Sequence, residues 1–382
     1  MPRLIFDDDH HAFREAVQGF VATQVVPNGD RFRAEHGLDR AFWKAAGELD
    51  LLGIAIPAEH GGSEIDDFRF NQILNEELSK AGAAYGSCVG IHVDICAPYL
   101  TDLTNDEQKG RWLPGFTTGD NLCAIGMTEP EVGSDLANLR TSAVRDGDEW
   151  VINGGKTFIT NGGSCDTVIT AVRTGGPGPK GVSLIVVPTD APGFERGNKL
   201  EKIGQHESDT AELFFNDCRV PVENLIGEEG KGFVYMMERL EQERLSCAIS
   251  NIAHAVGAYE ATLQYVQDRR AFGQPIGRFQ NSQFKLAEIA TELDTAQAYV
   301  DHCVQLHNLG QLTAIDAAKV KLMSSEVQGR VIDVCVQLHG GYGYMEEYFV
   351  GRAYSDARVT RIWAGSNEIM KLVIGRSLGI TE

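Results

Sequence analysis

The hydrophobic period of the chain switches twice, and that double switch leaves few folds open. Over residues 1–120 apolar side chains recur at helical spacing: Phe13, Val17, Phe20, Val21 and Val25 mark one face before Pro27 stops it. Further helical runs cover Ala41–Leu52 and Asp67–Ala81. From about Asn121 to Ile226, short runs rich in Val, Ile, Thr and Phe sit between Gly, Pro, Asn and Asp clusters. Trp150–Ile152, Thr167–Val172, Val182–Val187 and Leu213–Phe215 read as strands, with Asn153-Gly154-Gly155 and Asn161-Gly162-Gly163 as turns between them. From Gly232 the helical period returns in long stretches: Phe233 to about Arg269, Gln283–His307, Thr313–Leu338 and Thr360–Ser377. Four long helices with short connectors predict a bundle. The expectation is an α+β chain in three parts. These are an N-terminal α-helical domain (1–120), a middle β domain of barrel or sandwich type (121–228) and a C-terminal four-helix bundle (229–382).

Charge narrows the function. Lys and Arg number 34 against 54 Asp and Glu, a net charge of −20, which repels a nucleic-acid backbone and anionic lipid. A local arginine cluster still binds an anionic ligand. No apolar run reaches the ~18 residues of a membrane span, and the N-terminus lacks the pattern of a secretory signal. The eight cysteines show no C-x-x-C pair, so they are expected as reduced thiols of a cytoplasmic protein. The ten histidines show no ligand spacing, and no metal site is expected.

Five constellations carry potential chemistry, and each has a bland alternative. Met127-Thr128-Glu129-Pro130-Glu131-Val132-Gly133-Ser134-Asp135 offers hydroxyls and backbone N–H groups to a heterocycle or phosphate, or is a capped turn. Lys156-Thr157-Phe158-Ile159-Thr160 places an aromatic beside β-branched residues, which also suits core packing. Arg269-Arg270-Ala271-Phe272-Gly273 ends a long helix; the arginines could hold a pyrophosphate or complement the helix C-terminus with Gly273 as cap. Gln337-Leu338-His339-Gly340-Gly341 admits close approach of a ligand or simply terminates a helix. Arg361-Ile362-Trp363-Ala364-Gly365-Ser366-Asn367-Glu368 is either a ligand loop or an N-cap.

Taken together and in this order, the five resemble the acyl-CoA dehydrogenase family, nearly end to end. The resemblance implies an FAD enzyme that introduces the α,β double bond into a fatty acyl-CoA thioester. FAD contacts then fall on Ile125, Met127, Thr128, Gly133, Ser134, Phe158, Ile159, Thr160, Arg269, Phe272, Gln280, Gln337, Leu338, Gly340, Gly341, Ser366 and Glu368. Many members carry Trp where Phe158 stands, and some carry Thr where Ala271 stands. Substrate contacts fall on Ser134, Glu241, Arg244 and Gly365.

One departure matters most. Many members place the catalytic glutamate where this chain has Ala364, which takes no proton. The long-chain and isovaleryl branches place it on the first bundle helix, in E-R-L followed by A-F-G. Glu243-Arg244-Leu245 and Ala271-Phe272-Gly273 match that pattern and its spacing, making Glu243 the expected base. At about 100° per residue Glu243 lines up with Met236, Leu240 and Cys247, which predicts a partly desolvated carboxyl with a raised pKa. The resemblance further implies hydride transfer to FAD N5 and an oxyanion contact from the Ala364 N–H. It also implies electron-transfer flavoprotein as acceptor, and a homo-oligomer, most simply a tetramer, because FAD is contacted across a subunit interface. A same-fold acyl-CoA oxidase using O2 and a non-catalytic helical scaffold stand as the alternatives.

Overall fold

The computed structural model describes residues 3–379. The N-terminal part is helical: α1 (Asp8–Phe20), α2 (Gly29–Glu35), α3 (Arg40–Glu48), α4 (Phe68–Ala81), α5 (Ala83–Gly90), α6 (Ala97–Asp102) and α7 (Asp106–Thr118). Asp7 caps α1 and Asn105 caps α7, each in a reciprocal box with the residue three positions on. The stretch Ile91–Cys96, between α5 and α6, is wound as a π-helix. Such widened turns re-aim side chains and recur at functional sites.

The middle part is one sheet built from β1 (Cys123–Gly126), β2 (Ser142–Asp146), β3 (Glu149–Ile159), β4 (Thr167–Arg173), β5 (Val182–Pro188), β6 (Phe194–Lys199), β7 (Ala211–Pro221) and β8 (Leu225–Ile226). Its order is β6-β7-β3-β2-β4-β5-β8, with β1 running parallel along β4. β4 and β5 are buried almost throughout, which is why both read as unbroken apolar runs. One expected turn is not a turn. Asn153-Gly154-Gly155 lies inside β3, where the pairing with β7 shifts register between Ile152 and Gly154. Gly154 has φ 143°, and a Cβ there would stand 2.7 Å from Thr141 Cα. The glycine serves a bulge with close backbone approach.

The C-terminal part holds α8 (Gly232–Asp268), α9 (Gln280–Asn308), α10 (Ala314–His339), α11 (Phe349–Ala357) and α12 (Asn367–Ser377). A tight hairpin, Arg270–Ala271 with Gln274–Pro275, joins α8 to α9. Gly273 (φ 81°) and Phe272 (φ 50°) form its turn, so Gly273 is not the cap of α8. The expected fourth long helix over Thr360–Ser377 is also broken. Ala364 (φ 50°) and Gly365 (φ 85°) are both left-handed, and two such residues in a row cannot continue a right-handed helix. The bundle therefore has three long helices, with α11 and α12 as short pieces beside them.

Three apolar clusters form the core. One joins the first helices to a sheet face, and one lies among the C-terminal helices. The third includes Cys96, Tyr99, Trp112, Phe116, Ile169, Leu184 and Met236, so it is where helix α6, the sheet and the start of α8 meet. Among the described residues no helix is long and apolar enough to cross a membrane.

Candidate active site

Glu243 lies on α8 beside this junction, with 6% of its surface exposed. Burial raises its pKa to about 7, against the opposing pull of a hydrogen bond from Tyr99 and the charges of Arg244 and Arg239. Tyr99 Oη donates to Glu243 Oε1 at 3.2 Å. Neither arginine forms an ion pair with Glu243, and no donor among the described residues reaches Oε2. Glu238, on the same helix, is exposed, and Glu241 is half-buried with its pKa pushed up by burial. Of the three carboxyls, Glu243 is the one placed in an apolar junction.

The broken segment before α12 comes up against Glu243's neighbour. Arg244 is buried and its Nε donates to the Ala364 carbonyl at 3.4 Å. The loop is fastened from behind by α10. Lys321, fully buried, donates to the Gly365 carbonyl at 2.8 Å and to Asn367 Oδ1 at 3.0 Å. Ser366 caps α12 through Ile369 N, and Glu368 is exposed in the first turn. No acceptor among the described residues takes the Ala364 N–H. Sequence reading missed Lys321, because a lysine in a helical run reads as surface. Lys321→Met leaves the Gly365 carbonyl unpaired, while Asn367 Oδ1 keeps the Ser325 hydroxyl at 3.1 Å; one buried acceptor left unpaired costs about 1–3 kcal/mol. A clear fall in thermal midpoint is expected; an unchanged midpoint would contradict the fastening role.

The first two motifs are stitched into one surface. After β1 the chain makes a tight reversal, Glu129 and Val132 exchanging backbone hydrogen bonds at 2.9 and 3.0 Å. Lys156 Nζ, on β3 and fully buried, donates to Glu129 Oε1 at 2.8 Å and to the Met127 carbonyl at 3.2 Å. Glu129 also accepts from Arg140 N at 2.6 Å and Thr141 N at 2.9 Å. Thr157 N donates to Thr128 O at 3.0 Å. A second register shift between Lys156 and Ile159 breaks the alternation of β3. Thr157 and Ile159 stay buried, while Phe158 (φ 61°) turns outward with 68% exposure. The bulge thus presents an aromatic face at the end of the strand. Ile125, Met127, Thr128 and Thr160 are half-buried around it, and Gly133 and Ser134 are exposed on the loop after β1.

The third and fourth motifs meet elsewhere. Tyr265, Arg269, Ile276, Gln337, Leu338, Gly340, Gly341 and Tyr342 line an open groove of about 580 Å³. The Arg269 guanidinium stands 5.4 Å from the Tyr342 ring, and Tyr265 stacks on His339 at 4.1 Å. A Cβ at Gly340 or Gly341 would meet nothing within 4 Å, so these glycines leave open space. Phe272 projects from the hairpin with 95% exposure, and Gln280 begins α9. Glu243 and Arg269 are separated by 26 residues of α8 and its end, roughly 39 Å at 1.5 Å per residue. The structure thus divides the candidate residues between two places on the chain rather than one.

Comparison with known proteins bears on all three parts. Residues 7–120 match the model "Acyl-CoA dehydrogenase, N-terminal domain", 124–218 the middle domain and 230–379 the C-terminal domain. The chain is 42% identical to the long-chain specific acyl-CoA dehydrogenase, mitochondrial, of Sus scrofa, over 98% of this chain and 88% of that protein. It is 35% identical to the isovaleryl-CoA dehydrogenase, mitochondrial, of Oryza sativa subsp. japonica, over 98% and 92%. A crystal structure of acyl-CoA dehydrogenase from Geobacillus kaustophilus superposes with a TM-score of 0.96 at 44% identity, covering 100% of both chains. Sequence, fold and domain order agree, and the chain belongs to the acyl-CoA dehydrogenase family.

Proposed function

We propose that this chain desaturates a long-chain fatty acyl-CoA thioester to the trans-2-enoyl-CoA, with Glu243 as the base, and passes the electrons to an electron-transfer flavoprotein. The observation that carries this reading is a buried carboxyl next in sequence to Arg244, which holds the Ala364–Gly365 loop, with a pKa raised to about 7. A base that titrates near neutrality is half ionised at the working pH and still basic enough to remove a weakly acidic α-proton.

The acyl-CoA dehydrogenase family binds FAD. The residues present fit that group. Phe158 and Phe272 are exposed aromatics that the fold itself leaves uncovered, and the groove combines an arginine with two glycines that leave room for a ligand. Phe158, Thr128, Thr160, Ile125, Met127, Gly133, Ser134 and Ile159 would hold its ring end together with Ser366 and Glu368. Arg269, Phe272, Gln280, Gln337, Leu338, Gly340 and Gly341 would hold the other end. When bound, FAD supplies a hydride acceptor.

The rest falls to side chains and backbone. Glu243 takes the α-proton on Oε2. The Ala364 N–H, which meets no acceptor among the described residues, is a donor for the thioester oxygen as negative charge builds on it. Arg244 fixes the Ala364 carbonyl and so steadies the loop that carries that N–H; Ser134, Glu241 and Gly365 flank the thioester. The groove lies at the C-terminal end of α8, roughly 39 Å along the helix from Glu243. The groove of one copy therefore completes the site of another, which supports a homo-oligomer, taken as a tetramer. Eight cysteines remain free thiols, which supports a reducing, cytoplasmic setting.

The test is anaerobic mixing of the holoenzyme with straight- and branched-chain acyl-CoA thioesters of graded length, followed by flavin absorbance. Bleaching fastest with long straight chains, and reoxidation faster with electron-transfer flavoprotein than with O2, is expected. Failure of every thioester to bleach the flavin would contradict the reading.

A further inference from the structure

We infer that Tyr99 is a positioning residue for the proposed base: its phenol, clamped between α6 and α8, holds Glu243 Oε1 and leaves Oε2 as the oxygen that takes the proton. This rests on the reading of Glu243 as the base.

The clamp is built from two adjacent cross-links between the same two helices. Tyr99 and Asp102 lie one turn apart on α6, and Arg239 and Glu243 one turn apart on α8. Tyr99 Oη donates to Glu243 Oε1 at 3.2 Å. Arg239 pairs with Asp102 at 2.9 Å, and its guanidinium stands 5.7 Å from the centre of the Tyr99 ring. The Tyr99 ring is fully buried, so the phenol has nowhere to swing. The widened π-helical turn Ile91–Cys96 runs directly into α6 and ends three residues before Tyr99.

A phenol is suited to this place. It donates to a carboxylate oxygen, and it still donates to the carbonyl oxygen of the acid once the other oxygen carries the proton. The hydrogen bond therefore survives the transfer, and the carboxyl plane stays fixed across the step. The α-proton ends on Glu243 Oε2, and the phenol keeps its own proton. Burial and the neighbouring carboxyl push the Tyr99 hydroxyl well above its usual pKa, so it is not itself a proton carrier. The other groups facing Glu243 are Arg239 and Arg244 on α8, Cys247 on the next turn and Cys96 at the end of the π-helix. Both thiols are raised by burial and stay neutral near pH 7. Tyr99, Arg244 and Arg239 all favour the ionised carboxyl, so removing the phenol leaves a base that ionises at higher pH.

The experiment uses holoenzyme carrying Tyr99→Phe, which keeps the ring in the core. Two quantities are read: the limiting rate of flavin bleaching against pH, and the infrared titration of the carboxyl band absent from Glu243→Gln. Bleaching at pH 7 about 10- to 100-fold slower, with an unchanged substrate dissociation constant, is expected. Both titration midpoints should move up by about one unit. A merely structural phenol would move stability and FAD content and leave the midpoints in place; that result, or a rate within twofold of wild type, overturns the inference. If Tyr99→Phe does not hold FAD, Arg239→Gln decides. It removes the cross-link to Asp102, and its lost charge alone raises the midpoint; the limiting rate well above that midpoint is therefore read, a slowing there is expected, and an undiminished rate overturns the inference as well. Loss of bleaching in Glu243→Gln with normal Tyr99→Phe behaviour would sink the clamp alone. Normal bleaching in Glu243→Gln would sink the base assignment itself.

Discussion

Glu243→Gln is expected to retain FAD and to bleach at least ~10²- to 10⁴-fold more slowly with acyl-CoA, the usual range for losing a general base. The amide has the same shape and still accepts the Tyr99 hydrogen bond, but it takes no proton. The pH dependence sharpens this. As the proposed base Glu243 works ionised, and its pKa is raised to about 7, so wild-type bleaching should rise with pH through about 7; the residual rate of the variant should not. Stability should move the other way. A buried acid with a raised pKa stabilises the fold fully below its ordinary value of 4.5, and that contribution fades as pH climbs through about 7. The glutamine lacks this penalty, so at pH 8 the variant should be more stable by up to about 3 kcal/mol. Wild-type bleaching in the variant would contradict the assignment.

The largest stability effect is expected at Lys156→Met. Lys156 and Glu129 form a buried pair whose members are 1% and 5% exposed. Burial alone would push the Glu129 carboxyl up, but Lys156 and the donors of Thr141 and Arg140 outweigh it and hold Glu129 below its usual pKa. Removing the lysine strands that carboxylate, and breaking one side of a buried pair costs about 3–5 kcal/mol. An unfolding free energy lowered by that amount in denaturant titration is expected. FAD content should fall with it, because Lys156 also ties the Met127 carbonyl to the strand that carries Phe158. The depressed Glu129 pKa adds a pH signature. Its contribution is present above the ordinary carboxylate range and is lost as pH falls, so wild type and variant should converge in acid. A loss below about 1 kcal/mol would mean that the pair is not what holds the loop.

The α–β–α order is readable from hydrophobic period because long helices and fully buried strands carry strong patterns. The burial of Glu243 is readable too, since Met236 marks the inward line of α8. What the period hides is backbone exception. Nothing marks Ala364 as left-handed, because alanine is an ordinary helix former; only the packing of Lys321 and Arg244 onto that loop holds it there. Asn153-Gly154-Gly155 has the composition of a turn, yet Gly154 serves a bulge whose cause, Thr141, stands just before β2. The π-helix at Ile91–Cys96 has no local signature. Tyr99 and Lys156 were hidden for a related reason. Each works through a partner distant in the chain, Glu243 and Glu129, and each taken alone looks like a core aromatic or a surface lysine.

The central claim is that the Glu243 carboxylate removes the α-hydrogen, and this can be watched without counting electrons. Holoenzyme is incubated with an acyl-CoA in D2O without an electron acceptor, and the recovered thioester is analysed for deuterium at the α-carbon. Wild type should wash deuterium in, and Glu243→Gln should do so no faster than thioester in buffer; equal exchange by both proteins would show that another group moves the proton.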